Sequence, residues 1–311
     1  MAQFDPTHHL SRMSKSRKVS PVQGLHKFLG TPGLISLSGG LPNPEYFPFG
    51  TLTAEVSTAT KFSEGNDTTA SHKPPRLADW FWSFFPSSNG SEMTSSITVP
   101  KYANRSQPDA LQLSTALQYS SARGLPLLNS LCREITAKVH SPAALCDPSN
   151  ILGASRDILL TTGNTDAWIK CVQTFCNPRE AVLCDDWTFS TSLEGMRPYQ
   201  VGAVPVKMDS QGMCSTDLRE ILEAWNETER GYQRPHVMYI VPIGQNPTGS
   251  TMGSLRKQEI YQVCVEYDIL IIEDDPYFFL QFNRYCPPSE RLELKNTDES
   301  YIQSLSPSFL R

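Results

Sequence analysis

Three short segments place residues capable of chemistry at the ends of apolar runs. In "ILIIEDDPYFFL" (Ile269–Leu280) four aliphatic residues lead into Glu273, Asp274 and Asp275, and Tyr277 follows Asp274 by three positions. A carboxylate at the end of a buried strand favours the protonated form of a basic nitrogen set beside it. "TTGNTDAW" (Thr161–Trp168) reads as a strand, a glycine turn and a helix start. The free N–H groups and positive dipole end of that helix suit a phosphate, although a glycine turn before a helix is ordinary by itself. "GQNPTGS" (Gly244–Ser250) follows the apolar "HVMYIVP", and alone Asn-Pro-Thr-Gly is simply a good turn.

The elements that position these segments follow from periodicity. Leu127, Leu128, Leu131, Ile135 and Val139 fall on one helical face, with Pro126 placed as at a helix start. "DILLTT" (Asp157–Thr162), "AVLCDD" (Ala181–Asp186), "VGAVPVKM", "HVMYIVP" and "ILIIEDD" read as strands. Thr165–Phe175 and Leu255–Tyr267 read as helices, the second with Ile260, Val263 and Cys264 inward. Thr216 is expected to cap a third, carrying Leu218, Ile221, Leu222 and Trp225. Nearly all-apolar strands alternating with helices predict an α/β fold, a mainly parallel sheet covered on both faces. Ligands of such sheets sit at the carboxyl ends of the strands, where Asp274 and Asp275 lie. Three ranges are expected: 1–60, an N-terminal arm and the start of a small domain; 61–108, a low-complexity loop insertion holding the aromatic knot Trp80–Phe85; and 109–311, a large domain.

Bulk properties narrow the partners. The 311 residues carry a net charge of -5 and a mean hydropathy of -0.33, which predicts a soluble globular protein with no general attraction to nucleic acid or anionic membrane. No apolar run is long enough to span a bilayer. The basic stretch Ser11–Lys18 reads as a solvated arm rather than a mitochondrial presequence, so a cytoplasmic location is expected. The eight cysteines are scattered without metal-type spacing, so reduced thiols and no metal site are expected.

Taken in this order and spacing, "SLSGGLPNPEYFPF", "LQYSSARGLPLL", "TTGNTDAW", "VPIGQNPTG" and "EDDPYFFLQFN" resemble the pyridoxal-phosphate (PLP) aminotransferases of the aspartate-aminotransferase fold (fold type I). The likeness is to the fungal aromatic-amino-acid and 2-aminoadipate enzymes and the animal kynurenine/2-aminoadipate enzymes. The resemblance implies a PLP cofactor, small-molecule amino acid and 2-oxo acid substrates exchanged by a ping-pong reaction, and a homodimer. It implies that Asp274 faces the pyridine nitrogen, with Asp275 as the alternative, and that Tyr277 and Asn246 hydrogen-bond the ring's phenolic oxygen. Asn246 could equally serve an Asx-type turn. Phe189 matches the aromatic that stacks on the ring, although Phe189 and nearby Trp187 could be core aromatics. Asn164 and Thr165 match the phosphate site. Tyr119 matches a tyrosine reaching the neighbouring subunit's phosphate, and Gly40 belongs to the part that resembles a substrate lid.

One departure stands out. The family's Ser-x-x-Lys segment, whose lysine forms the Schiff base with PLP, is not found in these 311 residues. Lys295 lies in a polar run and Lys257 on a helix face that reads as exposed, so neither fits. The expectation is a chain truncated before that lysine. The alternative to an aminotransferase is therefore a catalytically dead remnant or PLP-binding pseudoenzyme. A sheet lacking two of the family's strands would leave unpaired edges and predicts a chain that folds poorly alone.

Overall fold

The computed structural model of the chain describes residues 6–18, 31–34, 40–57, 94–104, 110–140 and 157–281. The chain divides into two compact units, residues 1–29 with 122–311, and residues 30–121. The elements begin with helix α1 (Arg12–Ser16), strands β1 (Thr51–Ser57) and β2 (Thr94–Pro100) and helix α2 (Leu113–Ala116). Next come α3 (Pro126–His140), α4 (Asn164–Phe175), β3 (Ala181–Asp185), α5 (Ser190–Met196), β4 (Gly202–Val206), β5 (Met208–Asp209) and β6 (Gly212–Met213). The last are α6 (Ser215–Glu223), α7 (Glu227–Arg230), β7 (Val237–Ile240), α8 (Ser254–Glu266) and β8 (Leu270–Glu273).

The smaller unit is built on an antiparallel ribbon of β1 and β2, paired from Thr51–Pro100 to Ser57–Thr94. The expected loop insertion at 61–108 therefore contains a strand. Its aromatic knot, Trp80–Phe85, lies outside the described residues.

The larger unit carries a four-stranded sheet in the order β4-β3-β7-β8, all parallel. β3 and β7 are buried at every position, because alternate residues of a strand face opposite ways and helices cover both faces. On one face Leu183, Met238 and Ile240 pack with Leu218 and Leu222 of α6 and Ile260, Val263 and Cys264 of α8. On the other, Val182, Cys184, Val237 and Tyr239 pack with Trp168 and Val172 of α4 and Met196 of α5. Each fully buried aliphatic side chain contributes about 1.5–3 kcal/mol, so these two clusters hold the sheet and fix its carboxyl edge. Trp168 Nε1–H donates to the Ser192 carbonyl at 3.0 Å, joining α4 to α5.

Several expectations change. Asp157–Thr162 is not a strand: Leu159 is exposed and no strand of the sheet lies alongside the segment among the described residues. A run of apolar residues becomes a strand only where a partner takes up its backbone groups. Leu160 N–H instead donates to the Arg123 carbonyl at 3.1 Å. Thr216 lies inside the first turn of α6, whose cap is Cys214 with no side-chain cap bond. Helix α3 starts at Pro126 as expected, yet its Leu127, Leu128, Leu131 and Ile135 are exposed. The basic arm is not simply solvated. Ser11 N–H donates to Thr174 O at 2.8 Å, and Ser11 Oγ–H to Gln173 O at 2.8 Å, so α1 is docked on α4.

Candidate functional site

The carboxyl ends of parallel strands lie on one edge of the sheet, and the loops leaving β3, β7 and β8 meet there. Asp274 follows β8, anchored by its N–H to the Ile240 carbonyl at 2.9 Å. Its Oδ1 accepts from Asn164 Nδ2 at 2.6 Å, and its Oδ2 accepts from the Tyr239 hydroxyl at 2.7 Å. One donor comes from the first turn of α4 and the other from the neighbouring strand, so the carboxylate is held from two sides. Each oxygen keeps a lone pair for a further donor.

The two neighbouring acids, both just past the end of β8, have different surroundings. Asp274 turns to the α4 face. Asp275 has no bond to Asn164 or Tyr239, one of its oxygens is buried without a partner, and the nearby Lys257 charge acts on it. Burial, then Glu273, pushes the Asp275 carboxyl up to about 6. Lys257 itself is half-buried rather than on an exposed face. Lys295 lies outside the described residues.

Helix α4 begins after Gly163, whose φ of 116° is open to glycine and strained for other residues. No side chain caps this end, which leaves first-turn N–H groups directed outward. Asn164 and Thr165 are exposed there. Asp166, the acid of that turn, is engaged by Lys170 and by Thr162 N–H at 3.0 Å, which offsets its charge at the helix start.

The Gly244–Ser250 loop is organised by a residue that motif reading passes over. Gln245 is 2% exposed. Its Nε2 donates to the Trp187 carbonyl and to Asp185 Oδ2 at 3.3 Å, and its Oε1 accepts from Thr248 N–H at 3.0 Å and Thr248 Oγ1 at 2.6 Å. Gln245 thereby makes the turn that was the alternative role for Asn246, and the half-buried Asn246 side chain has no bond among the described residues. Gly244 lies against Tyr277, with a φ of 56° and only 3.5 Å between its Cβ position and the Tyr277 Cβ. The Asn246 loop and the Tyr277 turn are therefore packed together.

Phe189 precedes α5 and accepts the Ser192 N–H at 3.0 Å and hydroxyl at 2.6 Å through its carbonyl. Phe189 and Trp187 belong to neither buried cluster; Trp187 is exposed, so neither is a core aromatic. Behind them, Asp185 Oδ1 and Thr188 Oγ1 are buried without partners, and burial pushes the Asp185 carboxyl up to about 6. Gln245 and Tyr239 were not recognisable as site residues, since nothing in their spacing marks them and their bonds are tertiary.

Tyr119 and Gly40 belong to the smaller unit. Tyr119 is exposed; its N–H donates to Gln118 Oε1 at 3.0 Å, and Gln118 Nε2 donates to Pro42 O at 2.9 Å. Gln118 thus ties the Gly40–Pro42 stretch to Tyr119. Gly40 has a φ of 57° and open space about it.

A family model for aminotransferase class I and II matches residues 87–310. An aromatic amino acid aminotransferase of Schizosaccharomyces pombe is 34% identical over 308 residues, spanning 98% of this chain and 58% of its own length. A mitochondrial kynurenine/alpha-aminoadipate aminotransferase of Mus musculus is 30% identical over 285 residues, spanning 90% of this chain and 56% of its own. The crystal structure of aminotransferase Aro8 from Candida albicans matches with a TM-score of 0.75 and 32% identity, over 99% of this chain and 58% of that one. The chain thus spans somewhat more than half the length of these relatives. With the family match running over most of its length and the same strand-end segments on a parallel sheet, the chain belongs to the class I and II aminotransferases and carries their PLP-dependent fold.

Proposed function

We propose that this protein works in the transfer of an amino group between an aromatic or 2-aminoadipate-like amino acid and a 2-oxo acid, with PLP as cofactor. The observation that carries the reading is Asp274, fixed between Asn164 and Tyr239 at the carboxyl edge of the sheet. The substrate class rests on the similarity to aromatic and kynurenine/aminoadipate aminotransferases.

The donor set fits the cofactor. PLP brings a ring nitrogen, a phenolic oxygen and a phosphate, and when bound it supplies an electron sink for the amino acid's α-carbon. Asp274 would hold the ring nitrogen protonated through an opposite charge, with Asn164 and Tyr239 keeping its oxygens aimed. The uncapped N–H groups of α4, with Asn164 and Thr165, would take the phosphate. Asn246, left unbonded because Gln245 makes the turn, and Tyr277 would donate to the phenolic oxygen. Phe189 would cover a ring face. Tyr119 would serve the phosphate of a second subunit in a homodimer, and Gly40 would belong to a substrate lid. A cytoplasmic location is part of the proposal, supported by the docking of α1 on α4; microscopy of a tagged protein tests it.

The test is PLP titration of the purified chain, followed by induced circular dichroism, and then conversion of 2-oxoglutarate to glutamate with tyrosine, kynurenine or 2-aminoadipate as donor. Saturable binding is expected of these 311 residues, and glutamate formation only when they are joined to the Ser-x-x-Lys segment that they do not contain. Absence of PLP binding sinks the reading, and binding without transfer in that longer chain reduces it to a cofactor-binding module.

A further inference from the structure

At the opposite edge of the sheet, three histidines and two acids form a chain of contacts. Glu180 precedes β3, His236 precedes β7 and Asp268 precedes β8, while His8 and His9 come from the N-terminal arm. Glu180 Oε2 lies 3.4 Å from His236 Nε2. His236 Nδ1 lies 3.1 Å from His9 Nδ1, and His9 Nε2 lies 3.4 Å from Asp268 Oδ1. The other Asp268 oxygen is 2.7 Å from His8 Nε2.

A proton count shows what this chain lacks. Running from Glu180 through His236 and His9 to Asp268 there are three links, each needing one hydrogen between two heavy atoms. A neutral imidazole carries one N–H, so two rings supply two hydrogens and one link stays open. Only a cation closes it, either a third proton or a metal ion. If Glu180 accepts from His236 Nε2–H, and His236 Nδ1 accepts from His9 Nδ1–H, the open link falls at His9 Nε2 and Asp268. There the Asp268 side chain is exposed and His8 is at hand.

We propose that His8 Nε2, His9 Nε2 and the Asp268 carboxylate bind a divalent, zinc-type ion that fastens the N-terminal arm to the sheet. Two imidazoles and a carboxylate make a three-ligand zinc set that leaves one position for water. The three ligand atoms lie within 4.8 Å of one another. Bonds of about 2.0–2.2 Å in a tetrahedral site put ligand atoms roughly 3.4 Å apart, as His9 Nε2 and Asp268 Oδ1 already are. The His8–Asp268 hydrogen bond opens and the exposed His8 ring turns its lone pair to the ion. Asp268 has a φ of 55°, a left-handed conformation that Asp tolerates and that turns its side chain to the arm. His236 and Glu180 stand behind His9 and fix its tautomer, as a carboxylate–histidine pair does for a metal ligand. Sequence spacing hid the set, because its ligands lie at positions 8, 9 and 268.

This site is independent of the cofactor reading and is tested without PLP. The 311-residue chain, freed of metal with a chelator, is titrated with zinc chloride by calorimetry and with cobalt(II) by absorbance. One ion per chain is expected, with a cobalt spectrum of tetrahedral nitrogen and oxygen ligands and no thiolate band. His8→Ala and Asp268→Asn change exposed side chains, and far-UV circular dichroism checks that both variants fold. Each is expected to weaken binding at least about tenfold, and Glu180→Gln about tenfold, while His140→Ala leaves it unchanged. Failure to bind one equivalent, a thiolate band, or unchanged affinity in His8→Ala and Asp268→Asn would overturn the proposal and leave the cluster joined by a shared proton alone.

Discussion

Asp274 and Asp275 differ by one position and by everything around them. Asp274 is bonded on both oxygens, whereas Asp275 keeps an unpartnered buried oxygen. Asp274→Ala is therefore expected to lower PLP affinity roughly 10- to 100-fold, since hydrogen bonds to a charged group contribute about 1.5–3 kcal/mol; fluorescence titration measures it. Asp275→Ala is expected to shift that affinity less than about threefold. Asp185 carries a pH signature. Its carboxyl is raised by burial from 3.8 to about 6, so the native state holds a proton that the unfolded chain releases more readily. Stability then falls as pH rises from about 4 to about 6 and levels off above, a loss of about 3 kcal/mol for a shift of this size. Urea unfolding of Asp185→Asn is expected to show a shallower slope over that window and higher stability at pH 7. At this scale Asp274 and Asn164, which the structure brings together, both lie in motifs that stand out in the sequence. The roles of Tyr239 and Gln245 were not legible, because a side chain's partner across two strands leaves no mark in local spacing.

Elements were legible where local pattern and tertiary demand agree. β3, β7, α4 and α8 have both, with apolar runs at the right period and a partner on each side. Asp157–Thr162 has the pattern without a pairing neighbour among the described residues, and Thr216 has the right residue type two positions late. The loop after β7 depends on a single buried amide. Gln245→Ala removes the contacts to Asp185, Trp187 and Thr248 together, and unpaired buried groups cost about 1–3 kcal/mol. The variant is expected to lose about 2 kcal/mol in chemical denaturation and to exchange the Thr248 amide faster by hydrogen–deuterium exchange.

For the whole molecule, the sheet in the described residues ends at β4 and β8, and α3 exposes four aliphatic side chains. An apolar surface of this kind draws other apolar surfaces. The chain is expected to bind the dye 8-anilinonaphthalene-1-sulfonate, with fluorescence falling at least about twofold in Leu128→Gln/Leu131→Gln. Equal fluorescence in both proteins would place the exposed surface elsewhere. The family fold was readable from segment order, whereas the arm's place was not: Ser11 and Arg12 meet Gln173, Thr174 and Asn177, a pairing that only the folded chain creates.

The three acids at the end of β8 also cushion it against a slip. Lengthening β8 by one residue would bring Glu273 to the place between Asn164 and Tyr239, and shortening it would bring Asp275 there. A one-residue insertion or deletion in β8 would thus leave a carboxylate between those two donors and change only its reach.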